Sequence, residues 1–339
     1  MTRADVCAGI LWIGATFYAL FGGADFGAGF WDLLAGGAER GERPRALIQR
    51  SLTPVWEANH VWLIFILVVL WTAFPPAFSA VMTTLYVPIA LAAVGIVLRG
   101  SGFAFRKSIV GLAGRRAAGA TFAISSLLTP FFMGAVVGAV ASGNVPAEGN
   151  GAPFSSWLEP LPLLTGAMFV ASGAYLSAVF LIGDARRSGD DELARYFARR
   201  ALDAATVAGI AAAIGLIELH AEARYIFDRL TDQGALLVGL SLFCGGGVLF
   251  ALSSVIFRSE SKPPWYLRPL AGGAVIAVIW GWGVAQFPYL LPTSLKITQA
   301  AAPPDTLAAV IIVFIVAAIL VLPALGLLYW LSQKELLGE

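Results

Sequence analysis

Nine long apolar runs dominate the 339-residue chain and restrict the folds that are open to it. A transmembrane helix needs about 20 consecutive, largely apolar residues. Runs of this kind occupy residues 6–34, 54–74, 77–98, 117–141, 161–182, 201–219, 235–257, 267–290 and 307–331. Because a backbone in lipid must satisfy its own hydrogen bonds, each run predicts a helix. We therefore expect an all-α polytopic membrane protein with nine transmembrane helices, forming a single integral-membrane domain over residues 1–339.

The composition excludes other classes of protein. Charged residues make up only 13% of the chain, too few to coat a soluble protein of this length, and hydrophobic residues make up 58%. This balance also excludes a disordered chain, and a net charge of +1 gives no reason to expect a nucleic-acid partner. The two cysteines lie far apart, and His60 and His220 are the only histidines, so we expect no metal site in this chain.

The basic residues predict the orientation in the membrane. Of the 22 Lys and Arg residues, 18 fall in alternate segments between the runs. By the positive-inside rule these segments are cytoplasmic, which places the N-terminus outside and the C-terminus in the cytoplasm. The short link at residues 74–77 also predicts that the second and third spans are antiparallel neighbours.

Two acidic residues stand out within the spans, where an unpaired charge is costly. Asp25 lies 19 residues into the first run, so a helix places it in the inner half of the membrane. Glu57 begins the second run, and His60 follows it by one helical turn on the same face. Three further side chains complete this local set, namely Trp56, Asn59 and Trp62.

Each of these residues has a functional and a structural interpretation. Glu57 is either a proton-relay carboxylate or a first-turn acid favoured by the helix dipole. Asp25 is either a second relay group or the structural partner of an arginine such as Arg99 or Arg106. His60 either passes protons onward or is a polar residue whose hydrogen bonds are satisfied locally.

Several motifs resemble subunit II of the cytochrome bd quinol oxidases, and His60 resembles the branch often called cyanide-insensitive. The sequences concerned are GGADFGAG at 22–29, PVWEANHVWL at 54–63, AFPPAF at 73–78, LRG at 98–100, FAFR at 103–106 and FPYLLPTS at 287–294. They keep the order and spacing of that family, and the resemblance extends over essentially the whole chain. The Trp-acid-x-Asn-x-x-Trp element is its most specific part.

The resemblance implies a fold, a partner and a membrane. Subunit II of this family has two four-helix bundles and one peripheral helix, which here would be residues 6–141, 161–290 and 307–331. It forms a heterodimer with subunit I, which holds haem b, haem d and the quinol site, so this chain alone is expected to bind no cofactor and not to be catalytic. The complex oxidises quinol and reduces dioxygen to water in the bacterial cytoplasmic membrane, among membrane lipids. Some members also have a small single-span subunit or hold a structural quinone.

The resemblance further implies a cytoplasmic proton pathway. Its residues here would be Glu57, where some relatives have aspartate, together with Asp25 and His60. The supporting residues would be Trp56, Asn59, Trp62, Arg99 and Arg106. Gly22 replaces another acid found in some members, and His60 replaces a glutamine found in others. Two alternatives stay open, a stand-alone proton-coupled secondary transporter and a purely structural scaffold subunit.

Overall fold

The protein is described here by a computed structural model that covers residues 1–37, 39–52, 56–106, 111–257 and 264–333. Within these ranges, the side chains of residues 52, 56–58, 106, 112, 113, 115, 257, 329, 332 and 333 are not described. Helices form nearly all of the regular structure. In the first half they are α1 (Arg3–Phe17), α2 (Gly23–Leu33), α3 (Glu42–Leu52), α4 (Trp56–Ala73), α5 (Pro75–Thr84), α6 (Tyr86–Arg106) and α7 (Leu112–Ala141).

The second half begins with the long helices α8 (Pro160–Arg187) and α9 (Asp191–Glu222). The helices that follow are α10 (Arg224–Thr231), α11 (Ala235–Phe257), α12 (Leu267–Gln286), α13 (Ile297–Ala300) and α14 (Pro304–Gln333). A small antiparallel hairpin, β1 (Tyr289–Leu291) with β2 (Leu295–Lys296), lies between α12 and α13. The helix of the eighth predicted span, α12, therefore ends at Gln286, earlier than the predicted run of 267–290.

The predicted number of spans agrees with the helices. Among the described residues, eight helices are long and apolar enough to cross a membrane, and the number is nine if the bent pair α4–α5 is counted as one span. The two helices of this pair meet at 118°. The break falls at Phe74, where Pro75 and Pro76 cannot continue the hydrogen bonds of α4 and instead begin α5.

The third predicted span was wrong in its boundaries. Residues 77–84 belong to α5, and the third long helix is α6, which begins at Tyr86. The link at residues 74–77 is consequently the bend between α4 and α5 within the second span, and not a tight turn that makes the second and third spans antiparallel neighbours. Since α6 continues to Arg106, Arg99 lies inside this helix and not at its end.

The first span consists of α1 and α2, joined by a π-helical turn. A capping box starts α1, in which Thr2 Oγ1 accepts from the Asp5 backbone N–H and the Asp5 carboxylate accepts from the Thr2 N–H. The π-helical turn, Tyr18–Gly22, then widens the helix without ending it. This turn lies immediately before α2, which contains Asp25.

The long helices pack in a continuous arrangement. In the first half, α1 packs on α4, while α2 and α6 pack on α7; in the second half, α8 packs on α9 and α12, and α11 on α9 and α12. The two halves meet where α2 and α7 contact α8, and α14 lies against α1 and α4. The predicted division into two four-helix bundles and a peripheral helix, within one domain, stays a prediction.

Glycines allow the close approach of α2 and α8. A Cβ atom added to Gly27 would lie 2.0 Å from the carbonyl oxygen of Gly173, and one added to Gly173 would lie 2.6 Å from the carbonyl oxygen of Gly23. Small residues let helix backbones approach closely in membranes, where packing drives association. The two halves of the chain therefore meet through backbone contacts that leave no space for a methyl group.

We expect Gly27→Ala to destabilise the protein by about 1–3 kcal/mol, because the added methyl group forces α2 away from α8. Thermal unfolding of the purified protein in detergent measures this effect. Gly9→Ala is the matched control in the same span, since nothing lies within 4 Å of an added Cβ there. Equal unfolding temperatures for the two variants would contradict the close packing.

The short helix α3 is held against the start of α9 by ion pairs. Arg43 donates to both carboxylate oxygens of Asp190, at 3.0 and 2.8 Å, and to Glu192 at 2.8 Å. Asp190 is also the N-cap of α9, because its carboxylate accepts from the Leu193 N–H. The hydrogen bonds from Arg43, with that from Leu193, lower the pKa of Asp190 below its usual range.

The lowered pKa of Asp190 predicts a small loss of stability in acid. A depressed pKa means that the stabilisation is complete above the unfolded-state pKa of about 3.9 and is lost as the pH falls through the folded-state pKa. Asp190→Asn keeps the N-cap and removes the charge. The wild type should therefore be more stable than this variant at pH 6, and the difference in stability between them should shrink toward pH 3. Unfolding temperatures across this range test it, and a constant difference would show that Arg43 does not act through the charge.

Candidate functional site

A buried ion pair connects α2 with α6. Asp25 and Arg99 are each only 2% exposed. Arg99 Nη1 lies 3.4 Å from Asp25 Oδ2, and Nη2 donates to the backbone carbonyl of Asp25 at 2.9 Å. A buried charge is tolerated only when a partner and hydrogen bonds compensate for its lost hydration. The guanidinium and carboxylate groups thus stabilise each other in an apolar environment.

The rest of the Arg99 side chain is held by α7 and by aromatic rings. Its Nε donates to Ser126 Oγ at 3.0 Å, and that hydroxyl in turn donates to the Phe122 carbonyl at 2.6 Å. The guanidinium carbon lies 4.7 Å from the centre of the Phe26 ring and 5.0 Å from that of Phe122. The cation therefore has favourable electrostatic contacts with two aromatic rings.

Two residues of α4 lie beside the Asp25 carboxylate. The amide of Asn59 and the imidazole of His60 are close enough to act on its charge. Asn59 is 3% exposed, and the half-buried His60 ring lies 6.0 Å from the ring of Phe26. Among the described residues, Oδ1 of Asp25 has no partner at hydrogen-bonding geometry, which leaves a buried acceptor position for a proton or a water molecule.

The structure brings four of the predicted site residues together: Asp25, Asn59, His60 and Arg99. It favours Arg99 as the ion-pair partner of Asp25. Trp62 packs nearby in an apolar cluster with Tyr18 and Phe26, and stacks on Phe17 at 4.4 Å. The side chains of Glu57, Trp56 and Arg106 lie outside the described part of the structure, so their predicted roles stay predictions.

A further buried acid, Asp32, was missed. The sequence analysis singles out Asp25 and Glu57, but Asp203, Glu218 and Asp32 also lie within the apolar runs, and of these three it is Asp32 that is buried. It is 4% exposed, in the last turn of α2, and its Oδ1 lies 3.5 Å from Arg45 Nε. Its sequence signal was the spacing of seven residues from Asp25, which puts both acids on one helix face.

The described residues offer few ligands for a metal or haem. Among them, no group of three or more His, Cys, Asp or Glu side chains could hold a metal ion. His220 bonds to Arg224 and packs edge-on against Phe227, while the His60 ring lies beside Asp25.

Comparison with known proteins gives a consistent result. The profile of the family described as cytochrome bd terminal oxidase subunit II matches residues 4–332. The chain is 24% identical to cytochrome bd ubiquinol oxidase subunit 2 of Bacillus subtilis, over 86% of this chain and 81% of that protein. It is 25% identical to cytochrome bd-I ubiquinol oxidase subunit 2 of Escherichia coli, over 84% and 80%.

The fold also matches a solved structure. A chain of the bd oxidase from Geobacillus thermodenitrificans superposes with a TM-score of 0.76, at 24% identity and with 98% of each chain covered. The helical architecture of the whole chain is therefore shared with that oxidase.

Removing Arg99 should be more harmful than removing the whole ion pair. Arg99→Met leaves a buried carboxylate without its cation, at a cost of about 3 kcal/mol or more. The double variant Arg99→Met/Asp25→Asn also removes the charge of the acid, so we expect it to regain part of that stability. Thermal unfolding of the purified protein compares them, and a double variant less stable than Arg99→Met would refute the pairing.

Proposed function

The chain belongs to the cytochrome bd terminal oxidase subunit II family, and from this membership and its buried charges we propose that it supplies part of a proton route from the cytoplasm. It is accordingly a membrane-embedded subunit of a quinol oxidase, an oxidoreductase complex of the bacterial inner membrane that also contains a subunit I. The proposal concerns what this chain adds to that complex.

The Asp25 carboxylate is the observation on which the proposal depends. Reduction of one dioxygen to two water molecules consumes four protons, so the complex needs a path that carries protons into an apolar interior. A buried carboxylate with an unpartnered oxygen can accept a proton, and Arg99 limits the cost of its ionised form. Ionisable residues at membrane depth are typical of such relays.

Glu57 and His60 would connect Asp25 with the cytoplasm. His60 lies in α4, beside Asp25, and Glu57 precedes it by three residues in the same helix. We propose that Glu57 takes protons from the cytoplasmic side and that His60, Asn59 and ordered water pass them to Asp25. This direction requires the predicted orientation, with the N-terminus outside and the C-terminus in the cytoplasm.

We further propose that this chain is free of haem and stabilises a haem-bearing subunit I. The haems of that partner would supply the electrons for dioxygen reduction. The positions of the two histidines support a haem-free chain, since His220 is engaged with Arg224 and His60 lies beside Asp25. A structural quinone and a small single-span subunit remain predictions from the resemblance.

A scaffold role is the second candidate, and the same ion pair favours it. Asp25 and Arg99 join α2 to α6, and Ser126 extends the contacts to α7. A chain whose only task is to support its partner would need this connection for assembly and not for turnover. Assembly and turnover can be measured separately.

The decisive variants are Glu57→Gln and Asp25→Asn in the assembled complex. If the proton route is correct, quinol-driven oxygen consumption per haem should fall by about tenfold or more, because a relay group has lost its exchangeable proton. Absorption of the haems measures assembly in the same samples. Glu192→Gln is the control, since its carboxylate is 79% exposed and paired with Arg43 at the surface.

Wild-type turnover and haem content in both variants would reject the proton route. Loss of haem in proportion to activity would instead support the scaffold role. A stand-alone transporter would be stable without any haem-bearing partner, so co-purification with one argues against that alternative.

A further inference from the structure

We propose that Asp32 is a second cytoplasmic proton acceptor that feeds Asp25, which makes α2 a branch of proton uptake in addition to α4. This inference rests on the proposed proton route. It adds a carboxylate that lies seven residues beyond Asp25 in the same helix. In this role, Asp32 accepts a proton from cytoplasmic water and passes it, through bound water, to the carboxylate of Asp25, regaining its negative charge.

The position of Asp32 is electrostatically unfavourable. It lies in the last turn of α2, where the helix dipole favours cations and disfavours a carboxylate. It is also 4% exposed, so it has lost most of its hydration. A neutral polar residue would avoid both costs, which indicates that the acidic group itself is useful here.

Arg45 connects Asp32 with the aqueous side. Its Nε lies 3.5 Å from Asp32 Oδ1, while its terminal nitrogens donate to the carbonyls of Gly36 and Gly37, just beyond the end of α2. The Arg45 side chain is 25% exposed, so it reaches from the buried carboxylate to the surface. It thereby compensates the charge of Asp32 and places a polar, partly exposed group beside the buried carboxylate.

Between the two acids, α2 is in close contact with α7 and faces a hydroxyl group of that helix. Seven residues correspond to about 10.5 Å along a helix and bring Asp32 back to the face of Asp25. Gly29 lies between them, and a Cβ atom added there would be 2.1 Å from Ser126 Oγ. That hydroxyl is bonded to Arg99, the partner of Asp25.

Ser126 therefore occupies the interval between the two carboxylates. Its hydroxyl, bonded to Arg99 and to the Phe122 carbonyl, and the unpartnered Oδ1 of Asp25 are the polar groups along this interval, and the proposal requires bound water to link them to Asp32. A chain of this type, from carboxylate through hydroxyl and water to carboxylate, can move a proton over about 10 Å without a net displacement of either acid.

Asp32→Asn and Asp32→Glu in the complete oxidase complex test this role. We expect Asp32→Asn to lower oxygen consumption per haem by about tenfold, less than the 100-fold typical of a group that acts directly in catalysis, because α4 still delivers protons. Asp32→Glu restores a titratable carboxylate and should return turnover to within about twofold of wild type. The solvent deuterium isotope effect on turnover should rise in Asp32→Asn and return to normal in Asp32→Glu.

Asp25→Asn and Glu192→Gln, assayed in parallel, separate the two proposals. If Asp25→Asn slows turnover and Asp32→Asn does not, the inference about Asp32 fails and the proton route stands. If Asp25→Asn and Glu57→Gln both turn over normally, the proton route itself fails. Failure of Asp32→Asn to assemble, or equal turnover per haem in all Asp32 variants, would make Asp32 a folding residue and overturn the inference.

Discussion

The ion pair between Asp25 and Arg99 is the interaction on which the arrangement of helices depends. Two charges buried in an apolar interior are stable only while they face each other, so α2 and α6 cannot slide or rotate independently. The bond from Arg99 to Ser126 applies the same constraint to α7. One guanidinium thus fixes the register of three helices, and any proton-carrying role of Asp25 uses the same contact that holds the fold.

Helix α2 is held by the ion pair toward α6 and by glycine contacts toward α7 and α8. Toward α8 it presents Gly27 against Gly173, and toward α7 it presents Gly29 against Ser126. Because the backbone of α2 approaches both neighbours so closely, its two acids lie deep between the halves of the chain. Small side chains and buried charges therefore work together: the first bring the helices near, and the second determine their register.

The sequence predicted the class of fold and the centre of the site but not their geometry. The length of an apolar run is a local property, so nine spans could be counted, and the motif around Asp25, Asn59 and His60 identified side chains that do meet. Bends and burial depend on distant parts of the chain. The 118° break after Ala73, the depth of Arg99 and the burial of Asp32 at the edge of an apolar run could not be predicted for that reason.

The π-helical turn at Tyr18–Gly22 has a consequence for the angular position of everything that follows it. A π-helical turn accommodates one extra residue, which is equivalent to a rotation of about 100° relative to an uninterrupted α-helix. A helical wheel drawn continuously from Thr2 would therefore assign Asp25 and Asp32 to the wrong side of the first span. The same phase shift gives this turn a structural role, because a segment of the same length that stayed α-helical through Tyr18–Gly22 would rotate both acids away from their arginines without any change in their chemistry.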